Sequence, residues 1–445
     1  MKYWFLFFLL FSCLHSYSQK KWTLEDCINH AKTNNIDIAK QKNQNQSFAE
    51  DVKIAKGNYY PDLNFSASQG YSLGNSFNVS TGVGQRESRF NNFSLSSSLN
   101  LFSGFLNKYT LNKAKLTEQK GKLDIDVLAL DLSINITNNY LTILFNKQIL
   151  EVAKEQVKIS ELEEKRLGGL YSQALTGKNE YLQLQSTFAS DKKEVLIAEN
   201  NLKTSLIKLK ELLDINLIQD FDIEDINLSD FESSAFNTEI ELIIKEALKV
   251  NPQLKSAEIN QKISEQDIKI AKSDFYPKLN FSYNYGSNYF GILGEDDVVF
   301  DPIEMQFIDN GFFVQLDNNR THFLSFSLSV PIFSRFRTKS NYNKFKFEAE
   351  TRKIELENQK NELKNKVEIA YNDLLTAKAT LDASEIAAST QKEAFDIISE
   401  KYKKALVSNF EFLESKSNYI KTESELVKSK YDYLFKIKVL DYYID

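Results

Sequence analysis

From Phe336 to the last residue, Asp445, the chain contains neither glycine nor proline. In all 445 residues there are only 5 prolines and 14 glycines. A string of small, turn-rich domains is excluded, and long uninterrupted elements are implied. Histidine occurs only as His15, His30 and His322, and cysteine only as Cys13 and Cys27. From that inventory no metal-ligand cluster, nucleophile elbow, phosphate-binding glycine loop or cysteine pair can be assembled. Paired carboxylates for hydrolysis remain available by residue type, but they need a pocket on a rigid scaffold, which the patterns below do not offer. The chain is expected to be no enzyme and to hold no cofactor. With Met1 and Met305 as the only methionines, a thioether relay for a soft metal is missing. A basic stripe is missing too. The net charge is −6, and Lys/Arg alternate with Asp/Glu along the chain, so nucleic acid is no partner.

The first residues are apolar. One lysine precedes the run Trp4 to Leu14, and Ser16-Tyr17-Ser18 closes it. This is the pattern of a cleaved secretory signal over 1–18, too short for a membrane span. A second reading takes Leu10 to Cys13 as a lipoprotein signal with Cys13 acylated. After cleavage at Ser18 only Cys27 would remain, and no intrachain disulfide could form.

What the chain does have is an internal duplication. DVKIAKGNYYPDLNFSASQGYS at 51–72 returns 216 positions later as DIKIAKSDFYPKLNFSYNYGSN, with 12 of 22 residues identical. FSLSSSLNLFSGF at 93–105 answers LSFSLSVPIFSRF at 324–336 at an offset of 231. Each copy therefore reads helix, strand, loop, strand, helix, with 15 extra residues in the second loop (231 minus 216). The expected division is a first repeat over 19–213, a linker over 214–237 and a second repeat over 238–445. In both copies a charged helical run stops at a Tyr-Pro pair, Tyr60-Pro61 and Tyr276-Pro277, where proline ends a helix and is tolerated at a strand's start. Lys53, Lys56, Lys269 and Lys272 lie one turn before those pairs. They either mark the membrane side of the helix or are plain solvated positions.

Leu363, Val367, Ala370, Leu374, Ala377 and Leu381 follow steps of 4 and 3, and Ala388, Phe395, Ile398, Tyr402 and Ala405 continue the frame. That is a heptad seam on a helix from about 337 to 405, roughly 100 Å long at 1.5 Å per residue. Its counterpart carries Leu132, Ile136, Ile143 and Leu150, with Asn139 and Asn146 interrupting. Small residues on one seam and Asn on the other suggest close packing in one register.

The segments 62–72, 90–103, 278–290 and 321–333 alternate instead. In the fourth, Leu324, Phe326, Leu328 and Val330 oppose Ser325, Ser327 and Ser329. In the second, Phe93, Leu95, Leu99 and Leu101 oppose Ser94, Ser96, Ser98 and Asn100. The lengths suit tilted membrane strands of about 9 to 11 residues. A soluble sheet would need a cover, yet the long helices spend their apolar stripes on each other. Four strands cannot close a barrel, and open edges in lipid are costly, so three chains giving twelve strands is the smallest comfortable solution.

At this point the chain resembles the TolC-like outer membrane factor family over about 22–445. The carriers are the two helix-Tyr-Pro-strand units, the strand exit VPIFSRF at 330–336 with Pro331, and two helix-turn-helix tips. The tips read YSQALTGKNEYLQLQS at 171–186 and YKKALVSNFEFLESKS at 402–417. The resemblance implies a mainly α protein with β. A long coiled-coil helical barrel would cross the periplasm, and four transmembrane strands per chain would close as a twelve-stranded β-barrel in a homotrimer. It implies an exit duct in the outer membrane, seated in lipid and serving a tripartite efflux pump or type I secretion system. Its partners would be a periplasmic adaptor (membrane fusion protein) and an inner membrane transporter of RND, ABC or MFS type. Matched to the family's gate, Tyr402 falls on the gating tyrosine and Glu411 and Glu414 on two acidic ring positions, with Tyr171 and Glu180 as counterparts in the first tip; the other reading takes Tyr402 as a seam residue and the two glutamates as ordinary solvated charges. Val407 stands where the family's gating arginine would be. The longer loop, 291–318, with Glu295, Asp296, Asp297, Asp301, Glu304 and Asp309, would face outside, where it narrows the exit, is seen by phage, or is a floppy acidic loop with no role. The other functional reading is a periplasmic coiled-coil scaffold with a buried sheet and no channel activity.

Overall fold

This computed structural model describes residues 21–74, 76–78, 83–85, 87–216, 220–226 and 239–444. The signal segment 1–18, Cys13, and 217–219 and 227–237 of the expected linker lie outside the described residues.

In chain order, α1 (Leu24–Asn34) and α2 (Ile36–Gly57) lead to β1 (Asn64–Ser72), a small hairpin of β2 (Ser76–Asn78) and β3 (Val83–Gln85), and β4 (Ser88–Ser103). Next come α3 (Leu106–Ser172) and α4 (Lys178–Leu212). The order then returns with α5 (Ile240–Val250), α6 (Pro252–Ser273), β5 (Lys278–Ile292), β6 (Val298–Asp301), β7 (Gln306–Asp309), α7 (Phe312–Asn318), β8 (Thr321–Ser329), α8 (Arg337–Lys403) and α9 (Asn409–Ile444). Helix starts keep the sequence offsets. Leu24 and Ile36 open helices as Ile240 and Pro252 do, and α3 and α8 both have 67 residues. Asn35 and Asn251 separate the short helices in the same way, their side-chain oxygens accepting from the amides of Ile38 and Leu254. This is Asx capping of a helix start.

Two compact units result, and each draws on both copies. One comprises 1–44, 121–257 and 356–445, and its described residues are mostly helical. The seam residues Leu363, Val367, Ala370, Leu374, Ala377, Leu381, Ala388, Phe395 and Tyr402 are all buried, as are Leu132, Ile136, Ile143 and Leu150. Two expectations need correction. Ala405 is not on the seam, because the helix ends at Lys403 and Ala405 turns the chain at φ 55°. Of the two asparagines only Asn146 reaches another helix, at the carbonyl of Asn201, whereas Asn139 bonds back to Asn135 on its own helix.

The other unit, 45–120 and 258–355, holds the sheet. Its order is β1-β4-β5-β8, antiparallel throughout, so β1 and β8 each have one unpaired edge. Register places Phe65, Leu95 and Tyr285 in one row, and Leu99, Phe281 and Phe326 in another. The opposite face carries Ser66 with Ser94, and Ser98 with Ser282 and Ser325. A register shift between Asn100 and Phe102 leaves Leu101 unpaired and sets Phe102 opposite Leu279, so Phe102 takes the place expected for Leu101. The fourth strand ends at Ser329, and Val330 lies beyond it. Phe323 departs from the pattern, since it sits opposite Asn284 on the Ser/Asn face. On the two outer strands the apolar face is bare within this chain, with Phe65 70% and Phe326 69% exposed. Contiguous exposure on this scale marks an interaction surface.

Sheet and helix join through two consecutive left-handed residues in each copy, Gly104 and Phe105 at φ 65° and 68°, and Arg335 and Phe336 at φ 52° and 62°. In the first copy a Cβ on residue 104 would come within 2.5 Å of the Ser273 carbonyl oxygen. Glycine is required there by the close approach, and its left-handed φ, which Arg335 also adopts in the second copy, favours it further.

Candidate functional site

The two helix-turn-helix tips fold with one backbone pattern. The amides of Ala174 and Leu175 donate to the carbonyls of Tyr171 and Leu170 at 3.0 and 2.9 Å, and those of Ala405 and Leu406 to Tyr402 and Lys401 at the same 3.0 and 2.9 Å. Ala174 and Ala405 hold the left-handed position at φ 57° and 55°. This is a helix-terminating turn with an alanine where glycine is usual.

Side chains at the two tips diverge. Tyr402 is buried in a cluster with Leu167, Leu184, Phe395 and Phe412. Its ring stacks on Phe412 at 4.5 Å between centroids, and its hydroxyl donates to Asn409 Oδ1 at 3.0 Å. Asn409 Nδ2 in turn donates to Gln183 Oε1 at 3.2 Å, tying the second tip to α4. The Arg166 guanidinium lies 4.7 Å from the Tyr402 centroid while its Nε donates to Glu163 at 2.6 Å. Burial raises the Tyr402 phenol above its ordinary pKa; Arg166 opposes this, and Glu163 and Glu180 add to it. Tyr171, by contrast, is exposed and stacks flat on Tyr181 at 5.3 Å. Glu180 is exposed and accepts from Thr176 Oγ1 at 2.6 Å.

Glu411 and Glu414 are both exposed in the first turns of α9, three residues apart and so on one face. The Glu411 amide donates to Ser408 Oγ, which caps the helix. The structure thus brings Tyr402 into the seam and leaves the two carboxylates on a solvent face. Tyr60, Pro61, Tyr276 and Pro277 sit where helix passes to strand, with the amides of Tyr60 and Tyr276 closing the last turn on Gly57 and Ser273. Pro331 lies between β8 and α8.

Sequence reasoning missed a buried charge pair near the tips. Lys416 Nζ meets Asp191 Oδ2 at 2.5 Å, the two side chains being 4% and 5% exposed. Ser160 Oγ bonds both partners, and Gln156 Nε2 donates to Asp191 Oδ1 at 2.6 Å. Three helices, α3, α4 and α9, meet at this cluster. Burial pulls the Lys416 ammonium below its ordinary pKa, against the hydrogen bond and charge of Asp191. A signal existed: Leu184, Asp191, Ala198 and Ser205 are buried at strict steps of seven, so Asp191 occupies a heptad position.

Among the described residues, no helix is long and apolar enough to cross a membrane, which says nothing of a β-barrel. None of their His, Cys, Asp and Glu form a group able to hold a metal ion.

The fold is that of the TolC-like outer membrane channels: a mostly helical chain with a strand domain. CusC superposes with a TM-score of 0.79 at 14% identity, covering 94% of this chain and 91% of its own. The Campylobacter jejuni CmeC outer membrane channel gives 0.77 at 16% identity over 95% and 85%. The outer membrane protein VceC of Vibrio cholerae gives 0.74 at 15% over 95% and 94%. No curated protein matches by sequence. The model of the outer membrane efflux protein family matches residues 27–214 and 243–436, and the chain belongs to that family. It is an outer membrane protein with a large periplasmic helical part, in a family of channels that work with pump partners.

Proposed function

We propose that this protein is the passive exit duct of a tripartite efflux pump or type I secretion system. As a homotrimer it would carry substrates from an inner membrane transporter and a periplasmic adaptor to the outside. The observation that carries this reading is the two-faced sheet, apolar on one side and Ser/Asn on the other, with both outer edges unpaired. Backbone groups on those edges need partners in lipid, and a second and third copy supply them while turning the Ser/Asn face to a water-filled lumen.

The tips form the entrance in this reading. Threefold symmetry would turn Glu411 and Glu414 into rings of carboxylates about one axis, attractive to multivalent cations. With Val407 in place of a basic residue, Tyr402 is held by Arg166 and Asn409 of its own chain. The test is planar bilayer conductance of the purified protein with and without divalent cation. A small, long-lived conductance reduced by divalents, and less reduced in Glu411→Ala/Glu414→Ala, supports the reading. A protein without conductance that is released from membranes by carbonate would replace it with a periplasmic scaffold.

A further inference from the structure

The acidic segment between β5 and β8 is a folded insertion, and its side-chain contacts fall on one face of the sheet. Asp297 Oδ2 accepts from the Tyr289 hydroxyl at 2.6 Å and from Arg89 at 3.1 Å. Phe312 packs on Tyr289 at 5.1 Å and on Phe93 at 6.3 Å between centroids. Ser287 Oγ donates to the Leu316 carbonyl. Residues 287 and 289 of β5 share the face of Phe281, Tyr283 and Tyr285, and Arg89 and Phe93 share that of Leu95 and Leu99, since alternate residues of a strand point the same way. The insertion is therefore seated on the apolar side of the sheet, away from the Ser/Asn face. It also finishes an edge: β8 stops pairing at Gly286, and beyond it Gln315 takes the place of a strand, its amide bonding both the N–H and the carbonyl of Phe290.

Its height is set by the bare band below it. β5 pairs with β8 over Lys278 to Gly286. At about 3.4 Å per residue and a tilt of about 40°, such a stretch spans roughly 20–25 Å, the height of a barrel's apolar band. Past that band the insertion begins, and it carries strongly exposed apolar side chains: Ile303 91%, Phe313 82%, Met305 75% and Phe307 70%. The β6–β7 hairpin is bare on both faces, Phe300 with Phe307 on one and Val299 with Ile308 on the other. A neighbouring copy would cover one face; a lipid surface can take up both.

We infer that this insertion is an interfacial anchor, laying Ile303, Phe307 and Phe313 into the headgroup–acyl boundary of the outer leaflet around the rim of the barrel. The inference rests on the exit-duct reading, which makes the apolar face the lipid face. Burial of an apolar edge at that depth is how interfacial elements bind membranes, and its exposed carboxylates stay in the hydrated headgroup layer.

The experiment uses the full chain reconstituted in vesicles whose phospholipids carry bromine either near the headgroup or near the terminal methyl. Phe307→Trp and Phe313→Trp are the probes, Phe326→Trp on β8 is the control, and the signal of the unmodified protein is subtracted. Both probes are expected to emit to the blue and to lose more emission to the shallow bromine than to the deep one. Phe326→Trp is expected to be quenched by the deep one. Emission lost to aqueous iodide but not to bromine would overturn the inference in favour of a water-exposed loop. Emission insensitive to both would overturn it in favour of a neighbouring copy. If Phe326→Trp is also insensitive to bromine, the exit-duct reading itself has failed.

Discussion

The two tips share one backbone and have two different interiors. Tyr171 and Tyr402 are counterparts, yet the first is exposed against Tyr181 and the second lies in the seam under Arg166 and on Phe412. Gln185 is exposed where its counterpart Lys416 is buried on Asp191. A duplicated sequence dictates hydrogen bonds within a turn, because those are local. It does not dictate which face meets a neighbour, because that depends on the helices packed around it. The apolar and charged clusters at the second tip draw on both copies, with Leu167, Leu184, Ser160 and Asp191 from the first and Phe395, Tyr402, Phe412 and Lys416 from the second.

The comparison breaks first at the buried charge. Lys416→Met leaves Asp191 buried without its cation and is expected to cost about 3–5 kcal/mol, whereas Lys416→Met with Asp191→Leu recovers most of that loss. Gln185→Met, at the matching exposed position, should stay within about 0.5 kcal/mol. Denaturant unfolding followed by helical circular dichroism checks all three, and equal effects at 185 and 416 would erase the asymmetry. Next is the ring under Tyr402. Phe412→Ala should cost about 3 kcal/mol and Tyr181→Ala, half-buried, about 1 kcal/mol.

Tyr402→Phe removes one neutral hydrogen bond and is expected to cost about 1 kcal/mol at neutral pH. Its pH profile separates burial from packing. A phenol whose folded pKa is raised contributes stability fully below the ordinary tyrosine value near 10, and loses it as pH rises through the folded value. Melting temperature should therefore fall less steeply above pH 10 in Tyr402→Phe than in the parent. Tyr140, Tyr431 and Cys27, and also Tyr419 and Tyr443, contribute to the remaining slope, because burial shifts them in the same direction. The smallest effect sharpens what the tips share: Ala174→Gly and Ala405→Gly relieve a left-handed alanine and should each stabilise by roughly 0.5–1 kcal/mol, equally in both copies.

Much of this is legible in the amino-acid sequence. The α8 helix was expected to start near 337 and does, because a heptad seam without glycine or proline has one favourable conformation. The strands were expected from alternation and a terminal proline. The Leu101 bulge was not, because nothing in a Leu-Phe pair announces an extra residue in a ladder. The roles of Arg166 over Tyr402 and of Asn409 on Gln183 are not legible, because those contacts link residues more than 200 positions apart. The 291–318 segment offered acidic composition but no periodicity, and its seat on the apolar face follows from Phe312 and Asp297 meeting Tyr289, a side-chain choice made in space.

By itself the sequence determined the duplication, the start of the long α8 helix, the seam and the two-faced strands, since each depends on interactions within a few residues or on a repeating period. Only tertiary structure decided which tyrosine is buried, where a lysine can lie under a carboxylate, and on which side of the sheet the acidic insertion rests. Those outcomes depend on desolvation and on neighbours brought from far along the chain, and no local pattern encodes either.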